Sequence, residues 1–230
     1  MKQLLWKTLS LAMLSMAFTS CDDDDDIEDA KARVMVVHAS PNGPAVDVRV
    51  NNAVALTNLV YPSNSAYTAV NAGSTNLRVS PTGTTNYVID ADVNLNGNTN
   101  YSVFAIDSVS RIKAAVVSDN LTAPAAGKAH VRFFHFSPNA PAVDIAVAGG
   151  PVLFSSRSFN DQGNNASFGN FTAVDAGNYT LEVRAAGTMP AILTIPNVSL
   201  ASGKIYTVFA KGFLGGTGTQ ALGAQVIMNN

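Results

Sequence analysis

The chain has 230 residues, of which 47% are hydrophobic and 13% are charged, and its formal net charge at pH 7 is −2. Its 14 lysines and arginines are scattered, which excludes a nucleic-acid partner because binding through counterion release needs basic side chains clustered on one face. A single cysteine excludes an internal disulfide.

Residues 1–20 have the pattern of a signal peptide. Lys2 and Lys7 precede an apolar run from Leu9 to Phe18, and the small polar pair Thr19-Ser20 follows. The apolar run is too short to span the roughly 30 Å of hydrocarbon in a bilayer. We therefore predict that residues 1–20 direct export and are removed.

Cys21, the only cysteine, stands where a lipoprotein signal would be cut. Residues 17–21 resemble a lipobox, which predicts a lipid anchor on Cys21 and makes the membrane a partner of the chain. The alternative is that Cys21 is an incidental free thiol. With the anchor in place, no thiol remains for catalysis or for binding a metal.

The segment 21–30 is predicted to be an acidic tether. Five aspartates at 22–26, with Glu28 and Asp29, repel one another and keep this stretch extended. An acidic run after a lipidated cysteine also resembles the surface-export signal of some Gram-negative lipoproteins, so we expect outer-membrane attachment with the domains at the cell surface. The alternative is a solvated linker facing the periplasm.

The remainder of the chain contains two copies of one sequence. The segment VHASPNGPAVDV at residues 37–48 returns as FHFSPNAPAVDI at 134–145, and later segments repeat in the same order. The second copy is longer between Asp144 and Phe171, where its Ser, Asn and Gly content indicates a loop. We predict domains at 31–123 and 128–230, joined by a linker at 124–127.

Apolar residues alternate with polar ones within each copy, as Val46 and Val48 do with Asp47 and Arg49. Residues 34–37 and 131–134 are nearly continuous apolar runs, which fit strands covered on both faces. About seven short strands in each copy, separated by Gly, Pro, Asn and Ser clusters, predict an all-β fold. We expect two tandem antiparallel β-sandwich domains of immunoglobulin-like or transthyretin-like kind.

Both copies open with the same turn motif, which we interpret as structural. Proline fixes φ in such a turn, and the asparagine after it can adopt a left-handed conformation. The motif comprises His38, Ser40, Pro41, Asn42 and Asp47 in the first copy and His135, Ser137, Pro138, Asn139 and Asp144 in the second.

At this motif the chain resembles the bacterial domain of unknown function numbered 4397 (DUF4397), which opens with a His-x-Ser-Pro-Asn-x-Pro-x-Val-Asp segment. The resemblance covers nearly all of residues 31–230, as two copies. It implies an extracytoplasmic, often tandem β domain that is frequent on lipoproteins, and it implies no activity.

The repeated His, Ser and Asp are the first set to test for nucleophilic catalysis. Ser40 immediately precedes a proline in a turn, however, and the chain has no Gly-x-Ser-x-Gly elbow. We expect each His to end a strand and bond the turn, and each Asp to lie on the polar face or fix a loop through backbone N–H groups. No catalytic residue and no enzymatic activity are expected.

The histidines and carboxylates could also be ligands of a metal ion. A His with an Asp could hold Zn²⁺, and Asp90, Asp92 and Asp107 could hold Ca²⁺, but neither set has diagnostic spacing. We expect no metal and no cofactor.

Nine of the eleven phenylalanines fall in the second copy. Those in and beside its longer loop form a candidate binding loop: Phe154, Phe159, Phe168 and Phe171. An exposed cluster of this kind would mark a contact patch. The alternative is core packing, since phenylalanine has no polar tip.

Together these features predict a non-enzymatic envelope lipoprotein that serves as a binding or adhesion module for an extracellular protein or glycan. A structural spacer with no specific ligand is the alternative. An extracytoplasmic hydrolase is the less favoured third interpretation.

Overall fold

The computed structural model describes residues 30–230. The predicted signal peptide, the lipidation site Cys21 and the tether up to residue 29 lie outside the described residues. Within residues 30–230, no helix has the length and apolar character needed to cross a membrane.

The fold is all-β, as predicted, and each repeat forms a sandwich of two four-stranded sheets. The first repeat contains β1 Lys31–His38, β2 Val46–Val50, β3 Ala53–Leu59, β4 Thr68–Asn71, β5 Gly73–Pro81, β6 Ile89–Leu95, β7 Asn100–Ile106 and β8 Lys113–Asp119. The second contains β9 Lys128–His135, β10 Val143–Val147, β11 Val152–Arg157, β12 Thr172–Asp175, β13 Gly177–Ala185, β14 Ala191–Leu200, β15 Ile205–Lys211 and β16 Gly223–Met228. Short 3-10 turns lie at Val109–Arg111, Asp161–Gly163, Ala166–Gly169 and Gly218–Gln220.

The two repeats have the same topology. In the first, an outer sheet has the order β3-β2-β5-β6 and an inner sheet the order β4-β1-β7-β8; in the second, the outer sheet is β11-β10-β13-β14 and the inner sheet β12-β9-β15-β16. The pairing is antiparallel as expected, except that β1 pairs with β7, and β9 with β15, in parallel. The parallel pairs arise because the chain passes through both sheets before it returns beside its first strand.

Each sandwich encloses its own hydrophobic core between its outer and inner sheets. In the first repeat, this core includes Val34 and Val36 of β1 and Val46 and Val48 of β2. The alternation of the sequence produces this arrangement because successive side chains of a strand point to opposite faces.

A third hydrophobic core joins the two inner sheets to each other. It is formed by side chains on the other faces of the inner strands: Met35, Val37, Ala39, Phe104 and Ile106 from the first repeat, and Phe134, Phe136, Phe209 and Ile227 from the second. The molecule is therefore a stack of four sheets. The inner strands are covered on both faces, which explains the continuous apolar runs at 34–37 and 131–134.

Candidate functional site

The two motif histidines lie fully buried at the ends of β1 and β9. Nε2 of His38 is 2.8 Å from the carbonyl oxygen of Pro44, and Nε2 of His135 is 3.1 Å from that of Pro141. Burial lowers the pKa of both histidines below the ordinary value of 6.5, which favours the neutral ring. A neutral ring that donates from Nε2 to a carbonyl closes the turn in each repeat.

The neighbouring serines make no nucleophile–base pair with these rings. The backbone N–H of Ser40 approaches Nδ1 of His38 at 3.4 Å. The Oγ atoms of Ser40 and Ser137 are buried and have no hydrogen-bond partner within residues 30–230. Activation of a serine requires its hydroxyl to be within hydrogen-bond reach of the base, so this arrangement does not activate either one.

Each motif aspartate binds the backbone of an edge strand and of a turn. Asp47 accepts hydrogen bonds from the N–H groups of Asn58 and Gly83 at 2.9 and 3.0 Å and from the hydroxyl of Thr82 at 3.1 Å. The bonds from Gly83 and Asn58 hold the pKa of Asp47 below its ordinary value of 3.8.

Asp144 repeats this arrangement in the second sandwich. It accepts from the N–H groups of Ser156 and Gly187 at 2.7 and 2.8 Å. These two bonds lower the pKa of Asp144 below 3.8. The same contact, to an edge strand and to a turn, therefore occurs in both copies.

The motif asparagines lie in the turns that follow Pro41 and Pro138, and each binds a distant loop. The side-chain oxygen of Asn42 accepts from the N–H of Val109 at 2.9 Å. That of Asn139 accepts from the N–H of Leu214 at 2.8 Å.

The four phenylalanines of the candidate binding loop are half-buried and are spread over different surroundings. Phe154 stacks on Phe133 of the second-repeat core, with ring centroids 6.2 Å apart. Phe159 packs against the third core. Arg157 and Arg132 lie 4.3 Å over the rings of Phe168 and Phe171, respectively.

The loop itself is fixed to both repeats. Arg157 and Asp161 form a buried ion pair, with both nitrogen–oxygen distances at 2.8 Å. The backbone at Gly169 comes so close to β8 of the first repeat that an added Cβ would lie 3.0 Å from Val117. The loop is therefore part of the contact between the repeats.

A buried ion pair between the repeats was not predicted from the sequence. A nitrogen of Arg132 in β9 lies 2.7 Å from Oδ1 of Asp119 in β8, and neither side chain is exposed. The approach is that of an ion pair rather than of a well-aligned hydrogen bond. The signal was present, since Arg132 interrupts the apolar run at 131–134 and a covered strand has no solvent for a charge.

Polar side chains surround this ion pair. Arg132 also donates to Thr207 at 2.8 Å, and Asp119 accepts from Ser102 at 2.6 Å and from Tyr67 at 2.5 Å. Burial and the neighbouring carboxylate raise the pKa of Tyr67 to about 12, so its hydroxyl stays protonated and donates. The network completes the contact between the inner sheets.

A groove lies beside this network, at the seam between the repeats, and we call it the seam groove. It has a volume of about 400 Å³ and is lined by Ser118, Asn120, His130, Gly169, Asn170 and Phe171. A narrower pocket of about 150 Å³ shares three of these residues and is lined further by Gln162. Both repeats therefore contribute to one concave surface.

A second groove, of about 450 Å³, lies at the equivalent place on the seam. Its lining is Arg33, Ala66, Tyr67, Leu121, Met228, Asn229 and Asn230. The repeat alignment makes Arg33 equivalent to His130, Ala66 to Asn170, and Tyr67 to Phe171. The strand registers make Met228 equivalent to Ser118. The two grooves are thus copies whose linings differ in chemistry.

No three His, Cys, Asp or Glu side chains come together in a way that could hold a metal ion, within the part of the chain that the structure describes. Asp90 and Asp92 are instead exposed on β6, where both accept from the side-chain amide of Asn76. Asp107 accepts from its neighbour Ser108 at 2.7 Å.

Comparison with known proteins gives a family and distant similarity to solved structures. No curated protein matches the chain. A solved structure titled "The Bacillus anthracis TIE protein" is 10% identical, with a TM-score of 0.25, over 79% of this chain and 34% of that one. The chain thus spans about a third of that protein's length.

The family described as a domain of unknown function, DUF4397, matches residues 32–146, which is half of the chain and runs from β1 into β10. The chain belongs to the DUF4397 family.

Proposed function

We propose that this chain is a non-enzymatic lipoprotein of the cell envelope that binds an extracellular protein or glycan at the seam between its two repeats. The seam groove carries the proposal. Its volume of about 400 Å³ is within the range of ligand sites, and side chains of both repeats line it.

The fixed geometry of the seam supports a binding role. The third hydrophobic core and the buried Arg132–Asp119 pair hold the two inner sheets together. A groove whose walls are already in place loses little conformational freedom when a ligand binds.

The location rests on the beginning of the sequence. The signal peptide, Cys21 and the acidic run after it favour lipid attachment in the outer membrane with the domains at the cell surface. The membrane is then a partner only through the anchor. A Cys21→Ser variant is expected to appear in the soluble fraction of cells, and proteinase added to intact cells is expected to remove the wild-type domains.

A hydrolase is not supported by the motif geometry. The rings of His38 and His135 are buried and bond backbone carbonyls, and neither forms a hydrogen bond with the hydroxyl of Ser40 or Ser137. A catalytic site also needs access for its substrate, which buried rings do not provide.

The function is tested with the full-length protein in detergent. It is applied to a glycan array and, separately, to immobilised proteins of the extracellular surroundings, and Met189→Ala, a change at an exposed surface residue, serves as the control. Saturable binding retained in the control supports a binding module. No binding to either set contradicts it.

A structural spacer is the second candidate, and the four-sheet stack favours it. The long loop packs against its own sandwich and against β8, and the inner sheets share one core. A spacer would keep this stiffness and bind nothing. Scattering measurements that give one fixed shape, with no ligand on either array, would favour the spacer.

A further inference from the structure

We propose that the seam groove binds a neutral sugar unit of a glycan. This inference rests on the proposed binding function and adds to it the chemical class of the ligand and the residues that contact it.

The lining of the groove is polar and uncharged. Ser118, Asn120 and Asn170 offer a hydroxyl and two amides, and His130 offers a ring nitrogen. Hydroxyl and amide groups can each donate and accept hydrogen bonds, which matches the alternating hydroxyls of a sugar. None of the lining residues is Lys, Arg, Asp or Glu.

The buried ion pair beside the groove offers no free charge. Arg132 and Asp119 pair with each other at 2.7 Å, and neither side chain reaches solvent. An anionic or cationic ligand would thus find no free counter-charge in the lining. A neutral ligand has no such requirement.

An aromatic ring borders the same groove. The guanidinium of Arg132 lies 4.3 Å over Phe171, which fixes the ring from one side. The half-exposed remainder of the ring lines the groove. A fixed aromatic surface beside hydrogen-bonding groups suits a sugar ring, which has C–H faces and hydroxyl edges.

Two polar atoms at the groove lack partners within residues 30–230. Nδ1 of His130 is buried without a hydrogen bond, and so is Oε1 of Gln162 in the adjoining pocket. The Gln162 residue is 7% exposed. Buried polar atoms are almost always paired in folded proteins, and a small side-chain shift towards the groove would let a ligand hydroxyl pair with either atom.

The copied groove at the equivalent place on the seam keeps two amides, of Asn229 and Asn230, but its lining includes a charged side chain. It carries Arg33 and Ala66 where the seam groove has His130 and Asn170, and its Met228 replaces Ser118. Arg33 also lies 5.6 Å over the ring of Tyr67. A lining without charged side chains is therefore found in the seam groove and not in its copy.

This copy supplies substitutions that the fold already accepts. Asn170→Ala and His130→Arg place in the second repeat the residues that the first repeat has at the equivalent positions. The matched control is Ala66→Asn, which makes the reverse change in the other groove. Equal thermal unfolding of the wild type and all variants confirms that each is folded.

The experiment measures binding of the full-length protein in detergent to maltohexaose, cellohexaose, mannohexaose and xylohexaose by calorimetry. Sialylated and sulfated glycans and a random peptide library are tested in parallel. We expect at least one neutral oligosaccharide to bind, about tenfold weaker binding in Asn170→Ala, which corresponds to about 1.4 kcal/mol, and a larger loss in the double variant. Ala66→Asn is expected to bind as the wild type does.

The other outcomes overturn the inference in distinguishable ways. Neutral-glycan binding that is unchanged in both seam variants places the site elsewhere and leaves the proposed function standing. Binding only to charged glycans or only to peptides, at this groove or another, contradicts the ligand class alone. A protein that binds nothing on any array contradicts both the ligand class and the proposed function.

Discussion

Phe104 of β7 and Phe209 of β15 occupy equivalent positions in the two repeats, and their ring centroids lie 6.3 Å apart across the seam in an edge-to-face arrangement. Contact between equivalent residues is the mark of an isologous interface, in which two copies present the same surface to each other. The two sandwiches therefore pair within one chain as the subunits of a symmetric dimer would.

The first prediction concerns the third core. Phe104 is fully buried there, so Phe104→Ala is expected to lower the free energy of unfolding by about 3–5 kcal/mol. Urea denaturation of the full-length protein measures this change. Val54→Ala, at a side chain that is 53% exposed, is the control and should change it by less than about 0.5 kcal/mol. Equal effects of the two substitutions would show that the repeats do not depend on their shared core.

The second prediction concerns the buried ion pair. Arg132→Met leaves the carboxylate of Asp119 without its cation and is expected to cost about 3–5 kcal/mol. The double variant Arg132→Met/Asp119→Asn copies Met35 and Asn229, which occupy the equivalent positions of the other repeat. It should regain most of that loss.

A double-mutant cycle measured by urea denaturation gives the coupling between these two residues. A double variant that is as unstable as the sum of the two single variants would contradict a direct interaction between Arg132 and Asp119.

The third prediction concerns separation of the repeats. Residues 128–230 alone would expose Phe134, Phe136 and Phe209, which are fully buried in the whole chain. A contiguous apolar face of this kind promotes self-association, so we expect the isolated repeat to form dimers or larger species in analytical ultracentrifugation. The same fragment with Phe136→Glu and Phe209→Glu should sediment as a smaller species. A wild-type fragment that stays monomeric at every concentration would contradict this prediction.

The fourth prediction concerns pH. Burial lowers the pKa of His38 and His135 in the folded state below the ordinary 6.5, so the unfolded chain takes up protons first as the pH falls. The free energy of unfolding is therefore unaffected by these two histidines above pH 6.5, and it decreases as the pH drops from there towards their folded-state pKa. The unfolding midpoint in urea should fall over this range.

The matched variant His38→Gln/His135→Gln should lose this pH dependence above pH 5. A residual dependence below pH 3.8 should remain, because Asp47 and Asp144 have lowered pKa values and their contribution is lost only as they become protonated. Identical pH profiles of the variant and the wild type would show that the histidines do not titrate on unfolding.

The two sandwiches could be predicted from the sequence, but the contact between them could not. Alternation at Val46 and Val48 specifies a core face within a strand, and the repeat specifies that this happens twice. The runs at 34–37 and 131–134 indicated strands covered on both faces, yet periodicity does not say which surface covers them. The third core depends on contacts between residues far apart in sequence, so no local pattern reveals it.

The candidate site also has features that local sequence reveals and features that it does not. The phenylalanines of the long loop were recognised as a group, but composition does not distinguish a ring in the core, such as Phe154, from one that borders a groove, such as Phe171. The parallel pairing of β1 with β7 was also hidden, because strand order depends on the path of the whole repeat. Arg132 was the one local signal, as a lone cation inside an apolar run.

Because the two copies belong to one chain, a residue on one side of their interface can change while the equivalent residue on the other side stays the same. In a dimer of identical subunits, any substitution appears twice, so an arginine facing an aspartate would have to occur on both sides of the axis. Here the position of Arg132 in the second repeat is occupied by Met35 in the first, and the position of Asp119 in the first repeat by Asn229 in the second. Two repeats in one chain thus allow the two grooves to have different lining residues, which two identical subunits could not have.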